Sequence, residues 1–246
     1  MKIQINDREK FVKDFLTPLS KLNESVVLKI TNDSIYSLTS SSDGTLILYA
    51  VYNQKNETTA EGSIKLNIPD INKLVKVLSC INDSDIVLDL DDNSINYKST
   101  DMGFKFHLLE DGIISSPSIS IDKIKKLEFD SEFVLPYNNV ISVLKGSTFT
   151  TETDKIYFYT NSGAVYGKLT DLDRHNVDVY TQKISDEFKG TALSEALPLN
   201  FETIRIICSL RFKNLNVSVN TDMKVFIFDV INEDVKLNFI SSAYVS

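Results

Sequence analysis

The sequence predicts an α+β protein of two similar domains, each holding a duplicated motif of one helix and three strands. Three observations predict it. Along the 246 residues, an amphipathic helical stretch is accompanied four times by β-branched and aromatic strand segments. The strands are joined by short turns rich in Asn, Asp and Gly, as hairpins require. The turns also recur regularly. With Asn32, Asp92, Ser162 and Thr221 as markers, the steps are 60, 70 and 59 residues, and alternate markers lie 130 and 129 apart. Repetition at half the chain length implies two like halves, each with two copies.

The first copy opens with helix Asp7–Leu22, apolar at Val12, Phe15, Leu16, Leu19 and Leu22, where Pro18 should kink the helix or end its regular part. Strands Ser25–Thr31, Ser34–Ser40 and Thr45–Tyr52 follow. The second begins with strand Ser63–Ile68 and Pro69, which opens helix Asp70–Cys80, apolar at Ile71, Leu74, Val75, Leu78 and Ile81. Its remaining strands are Asp85–Leu90, Ser94–Ser99 and Gly103–Leu109. The third has a long strand Lys126–Leu135, Pro136 and a short helix Tyr137–Gly146, then strands Lys155–Thr160, Ala164–Thr170 and Asn176–Lys183. The fourth has strand Ala192–Leu199, helix Asn200–Arg211 and strands Asn214–Asn220, Met223–Ile231 and Asp234–Ser241. Between the halves, Glu110–Asp122 carries Gly112, Pro117 and four serines and fits a linker, although Ile113, Ile114 and Ile119 are apolar. The expected layout is an N-terminal domain 1–110, a connector 111–122 and a C-terminal domain 123–246.

Composition removes several function classes. With 42% hydrophobic and 24% charged residues, the chain can bury a sizeable core. No apolar run approaches the roughly 18 residues of a membrane span, and MKIQINDREK lacks a signal peptide's apolar stretch, so a cytoplasmic protein without a membrane partner is expected. Cys80 and Cys208 fall in apolar helical patterns and are expected to be reduced and buried. The two histidines, His107 and His175, have no Cys or His neighbours. Asp89–Asn93 fails as a calcium loop, with Ser94 where glycine and Thr100 where glutamate should stand. Lys145-Gly146-Ser147-Thr148 has no upstream glycine at P-loop spacing. No catalytic residue, metal or cofactor is expected.

Net charge is −8, which by itself argues against nucleic acid. The distribution argues otherwise. The four helices and their ends carry ten cations (Arg8, Lys10, Lys13, Lys21, Lys73, Lys76, Lys145, Arg205, Arg211, Lys213) against five anions (Asp7, Glu9, Asp14, Asp70, Glu202). Cations fall opposite the apolar stripes, with Lys73 and Lys76 three apart on one face. Helices lining one surface would hold duplex DNA without reading its sequence.

Two domains with duplicated helix-and-three-strand motifs, basic helices and an acidic remainder together resemble the DNA sliding clamp family. The two-domain trimeric type, that of proliferating cell nuclear antigen and the T4-like phage processivity factors, is the nearest in pattern. Ser25–Tyr52 (SVVLKITNDSIYSLTSSSDGTLILYAVY) and Gly103–Gly112 (GFKFHLLEDG) carry the resemblance most clearly, the latter looking like the strand that enters a clamp's connector. The resemblance implies the DNA clamp fold, with helices on one face of antiparallel sheets and facing a channel around duplex DNA. It implies a homotrimer, a DNA polymerase and a clamp loader as partners, no enzymatic activity, and a cytoplasmic location (the host cytoplasm for a phage protein). Carried over residue by residue, Lys10, Lys13, Lys21, Lys73, Lys76, Lys145, Arg205, Arg211 and Lys213 would face DNA. Phe104, Phe106 and Leu108 on one edge strand and Val177 and Val179 on another would join subunits. Leu38, Leu46, Leu48, Ile113, Ile114, Ile119 and Tyr244 would line a groove for partner peptides. The rival readings are a two-domain β-rich structural or virion assembly protein and, more distantly, a monomeric ligand-binding β-domain; the bias of four helices toward positive charge favours the clamp.

Overall fold

Strict alternation of buried and exposed residues makes the strands, and period-3.6 stripes make the helices that cover them. The structure is a computed structural model that describes residues 1–56, 63–115, 117, 119, 121–210 and 212–243. The chain divides into two compact units, Met1–Ile121 with Ile231–Leu237, and Asp122–Val230 with Asn238–Ser246.

The first unit begins with β1 (Lys2–Ile5), an alternating KIQI strand outside the expected elements, which pairs with the later strand Ile86–Asp91. Next come α1 (Arg8–Lys10), a π-helical turn Phe11–Leu16 and α2 (Thr17–Leu22). Asp7 caps this helix by accepting from the Lys10 amide at 2.8 Å. Pro18 neither ends nor interrupts the helical segment. The regular α-helix gives way just before it, where the Thr17 amide reaches back five residues to the Val12 carbonyl. A wider turn makes room for a ring that would otherwise collide with the preceding turn.

Strands β2 (Val26–Ile30), β3 (Ser34–Ser40), β4 (Leu46–Asn53) and β5 (Ile64–Ile68) follow, then α3 (Ile71–Ser79), capped by Asp70, and β6 (Ile86–Asp91), β7 (Ser94–Lys98) and β8 (Gly103–His107). They form the sheet orders β5-β2-β3-β4 and β1-β6-β7-β8. The helices pack on each other, and Phe11 meets Phe15 and Tyr52 at ring distances of 5.4 and 5.2 Å. Burial of Phe15, Leu16, Leu19, Leu74 and Leu78 holds them on the sheets, at roughly 1.5–3 kcal/mol per side chain.

The second unit repeats the plan. Its elements are α4 (Ile121–Lys125), β9 (Ser131–Pro136), α5 (Tyr137–Gly146), β10 (Lys155–Asn161), β11 (Ala164–Leu169), β12 (Tyr180–Ser185), β13 (Phe188–Gly190), β14 (Leu197–Asn200), α6 (Phe201–Cys208), β15 (Asn214–Asn220), β16 (Val225–Ile231) and β17 (Val235–Ser242). The sheet orders are β12-β11-β10-β14 and β13-β9-β15-β16-β17. Phe133, Phe158, Phe226 and Phe228 form a buried aromatic row, and α5 packs on α6.

Four expectations need correction, the first being that the strand Ala192–Leu199 is only β14, its first five residues lying outside any strand with the Ser194 amide turned back to the Ala192 carbonyl. The long strand Lys126–Leu135 is only β9, because the Lys126 and Leu127 amides turn back to the Lys123 and Ile124 carbonyls of α4 instead of entering a ladder. The strand expected at Asn176–Lys183 starts at Tyr180, because Asn176 adopts a left-handed φ of 63°, a conformation asparagine tolerates and a strand cannot contain. Cys80 is exposed at the end of α3, whereas Cys208 is buried and its thiol is pushed up to about 12 by desolvation. A thiol reagent at pH 8 should therefore label Cys80 in the native protein and Cys208 only after denaturation; mass spectrometry of the labelled chain distinguishes the two.

Candidate nucleic-acid interface and docking edges

The exposed helix faces hold the predicted cations in two different states. On α3, Ile71, Leu74 and Leu78 are buried, while Lys73 and Lys76 are exposed on the opposite face. No carboxylate occurs within α3 or α5, so neither helix neutralises its own lysines. Lys21 in the last turn of α2, Lys145 in the last turn of α5 and Lys213 after α6 are likewise exposed. Among the described residues these five make no ion pair. Cations at helix C-termini also favour the helix dipole, which alone could account for Lys21 and Lys145 but not for Lys73 near the start of α3.

The remaining cations are internally engaged. Lys10 donates to Asp234 at 2.7 Å and lies 3.6 Å from Glu233. Its bond to Asp234 holds its ammonium above the usual lysine value against the opposing effect of burial. Lys13 pairs with Glu9 one turn earlier. Arg205 pairs with Glu202 at 3.2 Å and lies over the Phe201 ring. Arg8 donates to the Asp83 carbonyl at 3.0 Å, tying the first helix to the loop after α3. Arg211 lies outside the described residues.

The edge strands come next. Strand β8 ends the order β1-β6-β7-β8 and β12 ends β12-β11-β10-β14. Phe104 and Phe106 lie half-buried on β8, Phe104 stacking on Tyr97, and Leu108 follows just beyond the strand. The Leu108 amide bonds Asn93. With the β7–β8 register, that places the Phe104 and Phe106 amides in the ladder and the Lys105 and His107 amides on the open side. Val177 and Val179 precede β12 in its entry loop. Val177 lines a cavity of about 50 Å³ with Thr150 and Asp178, and Val179 is 50% exposed.

The groove residues do not share one surface. Pairing of β3 with β4 sets Leu38 opposite Tyr49 and Thr39 opposite Leu48. Leu46 and Leu48 are therefore on the core face, 2% and 0% exposed, and leave no room for a ligand. Leu38 shares the outer face with Ile47 and Tyr49, both missed although strand alternation signals them, and with Tyr36, edge-to-face with Tyr49 at 6.2 Å. In the connector Ile113 is exposed, while Ile114 and Ile119 are half-buried. Tyr244 lies outside the described residues. Among the described residues no cluster of three or more His, Cys, Asp or Glu is arranged to hold a metal, and no helix is long and apolar enough to cross a membrane.

Four helix-and-three-strand motifs, arranged as two units of antiparallel sheet, make this the DNA sliding-clamp fold. No protein-family model and no curated protein sequence matches the chain. Among solved structures, it is similar to PCNA of A. fulgidus bound to the C-terminal region of FEN-1, with TM-score 0.78 and 11% identity, covering 100% of this chain and 98% of that one. PCNA of Entamoeba histolytica matches with TM-score 0.76 and 13% identity, covering 99% and 98%. PCNA of Thermococcus kodakaraensis matches with TM-score 0.74 and 13% identity, covering 99% of each.

Proposed function

We propose that this chain is the subunit of a sliding clamp, a non-enzymatic processivity factor whose copies close into a homotrimeric ring around duplex DNA and tether a DNA polymerase. The observation that carries this reading is the set of cations without an ion pair among the described residues, Lys21, Lys73, Lys76 and Lys145 on helices and Lys213 after α6, in a chain with net charge −8. A positive lining on a negative body holds phosphates in any sequence and allows sliding, because such contacts carry no base information. The whole-chain likeness to PCNA supports the same reading.

In the ring, β8 of one copy pairs with β12 of the next. Head-to-tail pairing of this kind closes a cycle and covers open backbone groups that would otherwise invite aggregation. Phe104, Phe106, Leu108, Val177 and Val179 border that seam. A ring that encloses DNA needs a clamp loader to open it. Partner peptides, such as the FEN-1 segment bound by A. fulgidus PCNA, would dock on the outer face around Leu38, Ile47 and Tyr49, with Ile113, Ile114 and Ile119 of the connector.

Light scattering across a dilution series tests the ring first. A mass near three times 27.8 kDa is the expected result. A monomer at every concentration would overturn the self-closing ring.

A further inference from the structure

The two edges are not built alike. An edge strand is held by its ladder on one side only, so its order depends on what lies against its faces. Strand β12 has a second support in α5. The Tyr180 ring lies flat on Gly146, so closely that a Cβ there would come within 2.2 Å of the ring. The Tyr180 hydroxyl shares its one proton between Gln182 Oε1 at 3.0 Å and the Ser142 carbonyl at 3.3 Å, so the ring contact with Gly146 is the main support. At the other end, the β11–β12 register slips between Val165 and Tyr166, leaving Ile184 as the extra residue. Its carbonyl accepts from Asn139 Nδ2 at 3.0 Å. Asn139, Ser142 and Gly146 are spaced i, i+3 and i+7, one stripe along α5. Gly146 is the last residue of α5, and its missing side chain is what lets the Tyr180 ring approach so closely.

Strand β8 has no such support. Phe104 stacks on Tyr97 of the neighbouring strand at 5.9 Å, and among the described residues no helix side chain bonds β8.

Resting on the ring reading for its partner, a second copy of this chain, we infer that β12 is a preformed edge braced on α5 by Tyr180 and Asn139, and that β8 is the compliant edge that adapts to it. Tyr180 and Asn139 are positioning residues: they hold the strand that pairs and do not themselves cross the seam.

Hydrogen exchange of the full chain tests this at a dilution where light scattering reports a monomer; if the ring persists, the Lys105→Pro chain is used to read only the effect of the α5 and β12 variants on β12, not the comparison with β8. In wild type, the ladder-bonded amides of β12 should exchange at least about tenfold more slowly than those of β8. Tyr180→Ala should speed exchange in β12 about tenfold and Asn139→Ala about fivefold, each weakening self-association by a similar factor. Asn139→Ala leaves the core intact and keeps the test usable if Tyr180→Ala does not fold. Equal exchange in the two edges, or β12 exchange unmoved by Asn139→Ala, overturns the brace. A wild-type chain that never self-associates while Asn139→Ala still releases β12 overturns the ring and leaves the brace standing.

Discussion

Lys73→Glu with Lys76→Glu should leave the chain folded and self-associating while lowering retention on duplex DNA by at least about thirtyfold near 0.15 M salt. Removal of two lysine–phosphate pairs, at roughly 0.9 counterion each, supplies that factor, and the new carboxylates add repulsion. The slope of log affinity against log salt should become shallower by at least about 2, the loss of one copy's pair, and by about 5 where the lysines of all three copies of a ring touch phosphate. Both side chains are exposed on the face of α3 opposite Ile71, Leu74 and Leu78, with no ion-pair partner among the described residues, so the fold has little to lose. Salt-dependent retention on closed and linear DNA, with circular dichroism as the folding control, gives the answer. An unchanged slope and unchanged polymerase stimulation would remove α3 from the DNA-facing surface.

If the proposed ring forms through β8, Lys105→Pro should give a 27.8 kDa monomer at concentrations where wild type self-associates. The Lys105 amide points away from the ladder, so proline removes a donor that only a neighbouring strand would use. The Phe104 and Phe106 amides stay bonded to β7, and the cost to the folded unit should be about 1–2 kcal/mol from the backbone constraint. Sedimentation together with thermal melting separates the outcomes. A variant that still sediments at three times the monomer mass would place the seam elsewhere.

Much of the fold was legible residue by residue. Asp70 before Ile71, Pro136 before Tyr137 and the alternation of Ser34–Ser40 each mark an element the structure contains at or near its expected limits. Those signals are local: a cap, a fixed φ, a period of two. The misplaced start of β12 was local too, hidden in the left-handed Asn176. The groove failed by one residue of phase. Leu38 and Leu48 are both apolar strand residues, but pairing in β3–β4 sends them to opposite faces, and the sequence shows alternation within a strand without showing which phase meets the core.

The cations separate the two levels most clearly. Period and composition alone establish four amphipathic helices with cations opposite their apolar stripes. They cannot distinguish Lys10 from Lys73, since both are lysines on a helix. What distinguishes them is Asp234, which lies 224 residues from Lys10 in the chain and 2.7 Å from it in space. The same holds for the edges: Gly146 is an ordinary helix end until Tyr180 is laid against it. Backbone preference and hydrophobic period are properties of a short window and survive in the sequence. Charge neutralisation and strand bracing depend on partners that only chain folding brings together.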